Sequence, residues 1–235
     1  PRDLVQVLPA PINKQATADL MALVDLVVAT GSQANVRSAY TSGTPAFGVG
    51  AGNVAGIVDE TADIEATADR IVRSKTFDNA TSCSSENSVV VVASAREKLL
   101  ASLEKRGAYL LDAEQTDRLQ ALMWPNGKLS GDVTGKSAGT IAALAGFAEL
   151  VEREPKILLV EQSADSVGPD FPYSGEKLSP VLTFYTVPDF DACASLVARI
   201  YQWQGAGHSV GLHTTRPERA MQLGLTLPVS RVIVS

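Results

Sequence analysis

The sequence has few cysteines, few histidines and no excess of positive charge. Its 235 residues include two cysteines and two histidines, too few for a disulfide framework or a recognisable metal cluster. A formal net charge of −6 argues against nucleic-acid binding through bulk electrostatics. No apolar run approaches the roughly 20 residues that a membrane-spanning helix requires. We therefore expect a cytoplasmic protein in a reducing compartment that binds neither nucleic acid nor membranes.

The remaining composition is that of an ordinary globular protein. Hydrophobic residues make up 45% of the chain and charged residues 20%, so a packed core is expected. The length suits one large domain or two small ones.

Short apolar segments alternate with helical segments of about ten residues, a pattern typical of α/β folds with a parallel sheet and crossover helices. In residues 1–50 the predicted strands are Leu4–Leu8, Leu26–Ala29 and Ala46–Val49. Three such strands are half of a doubly wound, Rossmann-type nucleotide-binding sheet. A domain boundary is predicted near Gly50, and residues 51–235 are expected to form a second α/β domain. Its predicted strands are Val89–Ala93, Ala108–Leu111, Ile157–Glu161, Pro180–Val187, Ser209–Thr214 and Val229–Val234.

Both ends of the sequence lack the features of a natural terminus. There is no initiator methionine, the chain enters a predicted strand at once, and it stops on another without a closing turn. We expect a piece of a longer protein; the alternative is a complete small protein whose terminal strands lie at the surface.

Cys83 is the candidate nucleophile. It lies in a polar stretch between a predicted helix and a predicted buried strand, and its small polar neighbours predict a thiol near solvent. Backbone N–H groups in such a turn stabilise a thiolate and later an oxyanion. The alternative is an incidental loop cysteine. Cys193, among Ala and Leu on a predicted helix, is interpreted as a small buried hydrophobe.

Two glycine-containing turns are candidate cofactor contacts. Thr30, Gly31 and Ser32 follow a predicted strand and open a predicted helix, where N–H donors and the helix dipole bind a diphosphate. Helix capping alone explains the same residues. Gly50, in Gly50-Ala-Gly-Asn53, permits close approach of a ligand to the backbone, or else marks a turn between domains.

Three further polar residues stand beside predicted strands. Glu176, just before a buried strand, is either an acceptor for ligand hydroxyl groups or part of a solvated turn. His208 and His213 flank a predicted strand, a position in which a lone histidine is more often a structural hydrogen-bonding group than a catalyst. No nucleophilic serine elbow marks a Ser-His-Asp triad, although the residue counts alone do not exclude one.

Seven short stretches follow one another along nearly the whole chain. They are Ala29-Thr-Gly-Ser32, Ala39-Tyr-Thr-Ser-Gly-Thr-Pro-Ala46, Gly48-Val-Gly-Ala-Gly-Asn53, Ser74-Lys-Thr-Phe-Asp-Asn79 with Cys83, Gly135-Lys-Ser137, Glu176-Lys-Leu-Ser-Pro-Val181, and Gly207-His-Ser-Val-Gly-Leu-His-Thr214. Taken together, they resemble the aldehyde dehydrogenase superfamily, and within it the CoA-acylating branch. The run Thr-Ser-Cys-Ser-Ser-Glu-Asn-Ser departs from the Cys-Ala-Ser-Glu-Gln of acetaldehyde enzymes and is more similar to members that act on sulfoacetaldehyde.

The resemblance implies roles for individual residues. Cys83 matches the catalytic nucleophile, Ser32 the turn that faces the dinucleotide diphosphate, and Glu176 the carboxylate that holds the nicotinamide ribose. Asn53 falls near the position where hydrolytic members carry a water-activating glutamate. Without that general base, a thioester survives long enough for a thiol to attack it.

The implied reaction is reversible oxidation of a short aldehyde to an acyl-CoA, with NAD or NADP as cofactor and coenzyme A as co-substrate. The resemblance also implies a homo-oligomer. It places the adenosine-binding half of the cofactor domain and an oxyanion-hole Asn outside these residues. This chain alone is therefore expected to be inactive. Two alternatives remain open at the level of sequence: a hydrolytic aldehyde dehydrogenase that yields a carboxylic acid, and a non-catalytic nucleotide-binding module.

Overall fold

The computed structural model describes residues 4–235. The chain forms two compact units, Pro1–Ala51 and Gly52–Ser235, which are described separately. None of the helices between residues 4 and 235 combines the length and the apolar content needed to cross a lipid bilayer.

The first unit packs two helices on a two-stranded parallel sheet. Its elements are α1 (Lys14–Leu23), β1 (Val27–Thr30), α2 (Gln33–Tyr40) and β2 (Ala46–Val49). Asn13 and Ser32 cap the helices by accepting hydrogen bonds from the N–H groups of Ala16 and Asn35. Val27, Ala29 and Ala39 form its small core.

The predicted strand Leu4–Leu8 is wrong. Residues 4–8 adopt neither helix nor strand, and the side chains of Leu4, Val5 and Val7 are exposed. A segment of alternating apolar residues forms a strand only where its backbone pairs with a neighbouring strand. The described sheet of this unit contains β1 and β2 alone. The first unit therefore supplies two parallel strands instead of three.

The second unit is built on a seven-stranded parallel sheet. Its strands are β3 (Val54–Val58), β4 (Glu86–Val92), β5 (Ala108–Leu110), β6 (Ile157–Gln162), β7 (Val181–Val187), β8 (Ser209–His213) and β9 (Arg231–Val234). Its helices are α3 (Ile64–Thr76), α4 (Ala93–Glu104), α5 (Ala113–Met123), α6 (Ala138–Leu144), α7 (Ala148–Glu152), α8 (Phe190–Trp203) and α9 (Pro217–Thr226). The strand order is β5-β6-β7-β4-β3-β8-β9.

The centre of this sheet is buried on both faces. Strand β4 lies between β3 and β7, and nearly every residue of the three strands is buried, as expected for a parallel sheet covered by helices. The predicted α/β class with a parallel sheet is confirmed, as are six predicted strands of this unit, with shifts of one to three residues at some ends.

Strand β3 is absent from the sequence prediction, although it lies near the middle of the sheet. Its residues, Val-Ala-Gly-Ile-Val, follow Gly52 and Asn53 and include Gly56, so the segment has the composition of a turn. Burial between β4 and β8 overrides that weak local preference.

Candidate active site

Three chain segments meet at the amino-terminal edge of the seven-stranded sheet. They are the segments that lead into β3, β4 and β7, and they carry Gly52, Cys83 and Glu176 respectively. Because these strands are parallel neighbours, the residues before them lie at the same edge. In most open α/β sheets a ligand binds at the carboxyl ends of the strands instead. The location of this candidate site is therefore inferred from the neighbouring positions of β3, β4 and β7, and not from that general rule.

Gly52 is the point at which Cys83 and Glu176 come together. A methyl group at Gly52 would lie 2.8 Å from the Cys83 carbonyl oxygen, 3.0 Å from Glu176 Oε1 and 3.2 Å from Cys83 Cβ. The three residues thus surround one small volume that has room for a hydrogen atom and not for a side chain. Glycine is required here by close approach, not by an unusual φ angle.

The Cys83 turn presents its polar atoms to solvent. Ser82, Cys83 and Ser84 are all exposed, and the hydroxyl oxygens of Ser82 and Ser84 lie 2.8 Å apart. The backbone N–H of Cys83 donates to no acceptor within residues 4–235. Ser85 is buried, and its hydroxyl has no hydrogen-bond partner among those residues. The prediction that the thiol lies near solvent is confirmed.

A left-handed turn precedes Cys83. Asp78, Asn79 and Ala80 have φ angles of 49°, 49° and 56°, a region that costs a non-glycine residue about 1–2 kcal/mol. The amide of Asn79 donates to the carbonyl oxygen of Gly135 at 3.0 Å, and the N–H of Gly135 donates to Leu178 at 2.9 Å. Residue 135 therefore links the Cys83 turn to the segment that carries Glu176.

Glu176 is half-buried, and burial raises the pKa of its carboxyl group to about 7. The N–H of Gly52 and the charge of Lys177 oppose that rise, because both favour the ionised carboxylate. Its own backbone N–H donates to Gln204 Oε1 at 3.0 Å. Near neutral pH the carboxyl group is thus divided between its two protonation states.

Two fully buried lysines donate to backbone carbonyl groups at different positions near Glu176. The Lys75 amine donates to the carbonyl oxygen of Ser179 at 2.9 Å, and the Lys177 amine donates to those of Asn87 and Gly175. Burial lowers the pKa of Lys75 to about 8 against the opposing charge of Glu86, and it lowers the pKa of Lys177 as well.

Asn53 is a buried structural group. Its amide donates to the carbonyl oxygens of Ser174 at 2.8 Å and Gln204 at 3.3 Å, while Oδ1 has no partner within the described residues. An amide held in this way is no general base, so the described residues place no acid at this position.

The predicted cofactor contacts Thr30, Gly31, Ser32 and Gly50 belong to the first unit. Gly31 has φ +124°, and Ser32 caps α2, so this turn depends on glycine and capping together. A methyl group at Gly50 would lie 2.6 Å from Gln33 Nε2, the flexible end of a side chain. Cys83 and Glu176 belong to the second unit and are in proximity to each other.

The histidines lie at opposite ends of β8. His208 comes directly before the strand, at the edge that also carries Cys83, and its Nδ1 is buried without a partner among residues 4–235. His213 lies at the other end, with Nδ1 2.9 Å from the Ser235 hydroxyl, and burial lowers its pKa to about 4. Cys193 is buried in the main core, which raises its thiol pKa to about 12 and confirms the predicted contrast with Cys83.

Sequence reasoning assigned no role to four supporting residues of this site: Gly52, Gly135 and Lys177, which lie in the stretches quoted for the resemblance, and Gln204, which does not. The pair of glycines before Asn53 was a usable signal, because close backbone approach requires glycine. The other three lie dozens of residues from Cys83 in the chain, and only the strand order brings their segments to the same edge.

The chain is similar to known dehydrogenases over all of its length. The aldehyde dehydrogenase family profile matches residues 1–121. A sulfoacetaldehyde dehydrogenase (acylating) from Cupriavidus necator is 59% identical over 235 residues, which are 100% of this chain and 47% of that protein. The chain therefore spans about half the length of that relative.

Solved structures give the same picture. An acetylating aldehyde dehydrogenase from Geobacillus thermoglucosidasius matches with a TM-score of 0.88 and 36% identity, over 94% of this chain and 49% of the other. A propionaldehyde dehydrogenase from Rhodopseudomonas palustris, with bound CoA and an acylated cysteine, matches with a TM-score of 0.85 and 28% identity. The match covers 94% of this chain and 50% of the propionaldehyde dehydrogenase chain.

Proposed function

Because the chain belongs to the aldehyde dehydrogenase family, we propose that the protein carrying it oxidises a short aldehyde to an acyl-CoA through a thioester on Cys83. The observation that supports this most directly is the exposed Cys83 thiol beside Glu176 and Gly52, at one edge of the sheet. We place the enzyme in the cytoplasm as a homo-oligomer.

The chemistry begins at Cys83. Its thiolate adds to the aldehyde carbonyl carbon, and the resulting oxyanion accepts a hydrogen bond from a backbone N–H group, for which that of Cys83 is free among the described residues. Loss of hydride converts the hemithioacetal into a thioester. The thiol of coenzyme A then loses its proton to solvent and attacks the thioester carbonyl, and Cys83 leaves as a thiolate. The covalent intermediate divides one difficult oxidation into two easier steps.

A nicotinamide cofactor, NAD or NADP, supplies the hydride acceptor when bound. The Thr30–Gly31–Ser32 turn suits its diphosphate, because the first-turn amides of α2 have no intrahelical acceptor and Gly31 leaves room beside them. Glu176 suits its ribose hydroxyl groups, since a carboxylate whose position is fixed by Gly52 and Gln204 accepts hydrogen bonds in one orientation.

Transfer to coenzyme A rather than to water is supported by Asn53. A hydrolytic enzyme needs a general base that activates water next to the thioester. The buried, hydrogen-bonded Asn53 amide supplies none, and we assign the neighbouring Glu176 carboxyl group to the ribose hydroxyl groups, so the thioester is expected to persist until a thiol arrives.

Product analysis tests this assignment. The complete gene product that contains this chain is incubated with NAD or NADP and a short aldehyde, with and without coenzyme A. We expect acyl-CoA when coenzyme A is present and almost no free acid when it is absent, because no residue is assigned as a base for attack of water on the thioester. Free acid formed at the same rate without coenzyme A would establish the hydrolytic alternative.

We further propose sulfoacetaldehyde as the substrate. The similar Cupriavidus protein is named for this aldehyde, and the Cys83 turn carries two exposed hydroxyl groups, those of Ser82 and Ser84, on either side of the nucleophile. In sulfoacetaldehyde one carbon separates the sulfonate from the reacting carbonyl. We therefore expect the hydroxyl groups next to Cys83 to donate hydrogen bonds to the sulfonate oxygens.

Replacing Ser84 by alanine tests the substrate assignment. A hydrogen bond to a charged group contributes about 1.5–3 kcal/mol, so kcat/KM for sulfoacetaldehyde is expected to fall about tenfold or more. Activity toward acetaldehyde, which has no such group, is expected to change less than about threefold. Ser94→Ala, at an exposed serine on α4, is the matched control. Equal losses with both aldehydes would refute a role of Ser84 in selectivity.

A further inference from the structure

Lys177 has a buried amine that the proposed chemistry does not use. Its side chain is fully buried, and its amine donates to the carbonyl oxygens of Asn87 at 3.0 Å and Gly175 at 2.9 Å. Its backbone N–H donates to Asn87 Oδ1 at 2.9 Å. Burying an amine is unfavourable, so a fully buried lysine with two aimed hydrogen bonds indicates a specific role.

The two acceptors lie on both sides of the candidate site. Gly175 directly precedes Glu176, whereas Asn87 lies on β4 four residues after Cys83. A single amine thus connects the segment that carries the carboxylate to the strand that follows the nucleophile. Without that donor, both carbonyl groups would lose a hydrogen bond in a buried place.

We propose that Lys177 is a positioning residue for Glu176, holding the Gly175–Glu176 peptide against β4 so that the carboxylate stays in its half-buried place beside Cys83. The backbone geometry agrees with a segment held from several sides. Leu178 has φ 44°, a conformation that persists only where its surroundings impose it, and the N–H of Gly135 donates to its carbonyl oxygen. The contribution of Glu176 to catalysis rests on the proposed function, but its placement by Lys177 does not.

The charges around Glu176 determine what a test will show. The charge of Lys177, in the same segment, lowers the pKa of Glu176. Lys75 on α3 lowers the pKa of Lys177, and Glu86 on β4 raises the pKa of Lys75. Burial is the largest influence on the Glu176 carboxyl group, and it favours the protonated form. Loss of position and loss of the Lys177 charge therefore shift the Glu176 titration in opposite directions.

The experiment titrates Glu176 by carbon NMR of its labelled carboxyl group in the complete gene product that contains this chain, with and without Lys177→Met. Methionine is one atom shorter than lysine, keeps an unbranched apolar side chain and removes the amine. If Lys177 holds the carboxylate in place, its loss hydrates Glu176, and the midpoint is expected to fall by at least one pH unit from about 7 toward 4.5. Lys75→Met is the matched control. It also removes a buried amine, but the amine of Lys75 donates to Ser179 and not to Gly175. Its midpoint is expected to stay within a few tenths of a pH unit of the wild-type value.

A rise of the midpoint would mean that Lys177 acts on Glu176 only through its charge, and an unchanged midpoint would mean that it serves the fold alone. Either result overturns the proposal. If Lys177→Met does not fold, Lys177→Gln, which keeps an N–H donor on a shorter side chain, is titrated instead, and a smaller fall is expected; no fall is again a contradiction. The titration needs no turnover, so a failure of the proposed dehydrogenase activity would be recognised separately.

Discussion

Replacing Cys83 by alanine is expected to reduce acyl-CoA formation by the complete gene product at least about a thousandfold, because removal of an enzyme nucleophile typically costs that much or more. Within these 235 residues no other thiol can substitute for it. The remaining cysteine, Cys193, is buried in the core, and burial raises its thiol pKa to about 12. Steady-state rates of NAD(P)H formation with saturating aldehyde and coenzyme A measure the effect.

Cys193→Ala is the control for this prediction. It removes a sulfur atom from the core without touching the site, so the rate should stay within about threefold of the unmodified enzyme, with at most a modest loss of stability. Wild-type activity in Cys83→Ala would show that the nucleophile has been misassigned. Preferential labelling of Cys83 by iodoacetamide at neutral pH provides an independent check of its accessibility.

A single methyl group at Gly52 is expected to have the second largest effect. In Gly52→Ala the new carbon would lie 2.8 Å from the Cys83 carbonyl oxygen and 3.0 Å from Glu176 Oε1, so the two groups must move apart. Displacement of a catalytic group by about 1 Å costs roughly a hundredfold in rate. We therefore expect kcat/KM to fall about that much while far-UV circular dichroism stays unchanged.

Gly56→Ala is the matched control, because Gly56 lies in β3 only four residues further along the chain. A methyl group there would meet Glu86 Cγ at 3.7 Å and Ser88 O at 3.9 Å, which are ordinary contacts. Its activity should remain near that of the wild type. Similar losses in both variants would indicate a general sensitivity of β3, and full activity in Gly52→Ala would refute the close contact described at the site.

Most helices and strands could be predicted from local patterns because their patterns are strong. Asp63 caps α3, whose apolar residues Ala68, Ile71 and Val72 face the core, and the run of valines in β4 is the signature of a doubly buried strand. Residues 4–8 and β3 were mispredicted for one reason. Whether a weakly patterned segment pairs with a strand depends on its neighbours in space, which a local window does not contain.

The site shows the same division. The small polar neighbours of Cys83 predicted its exposure, and the resemblance to a family indicated Glu176. That both approach Gly52 follows only from the positions of β3, β4 and β7 as neighbouring strands. The buried amine of Lys177 was equally unpredictable, since a lysine next to a glutamate in a polar turn ordinarily lies in solvent.

Acyl transfer from an acyl-CoA to the protein, without any nicotinamide cofactor, examines the proposed intermediate in isolation. The gene product is mixed with sulfoacetyl-CoA or acetyl-CoA, digested, and its cysteine peptides are weighed by mass spectrometry. The account predicts an acyl group on the peptide that contains Cys83, none on the peptide with Cys193, and loss of the label when free coenzyme A is added. An unlabelled Cys83, or an acyl group attached to another residue, would contradict it.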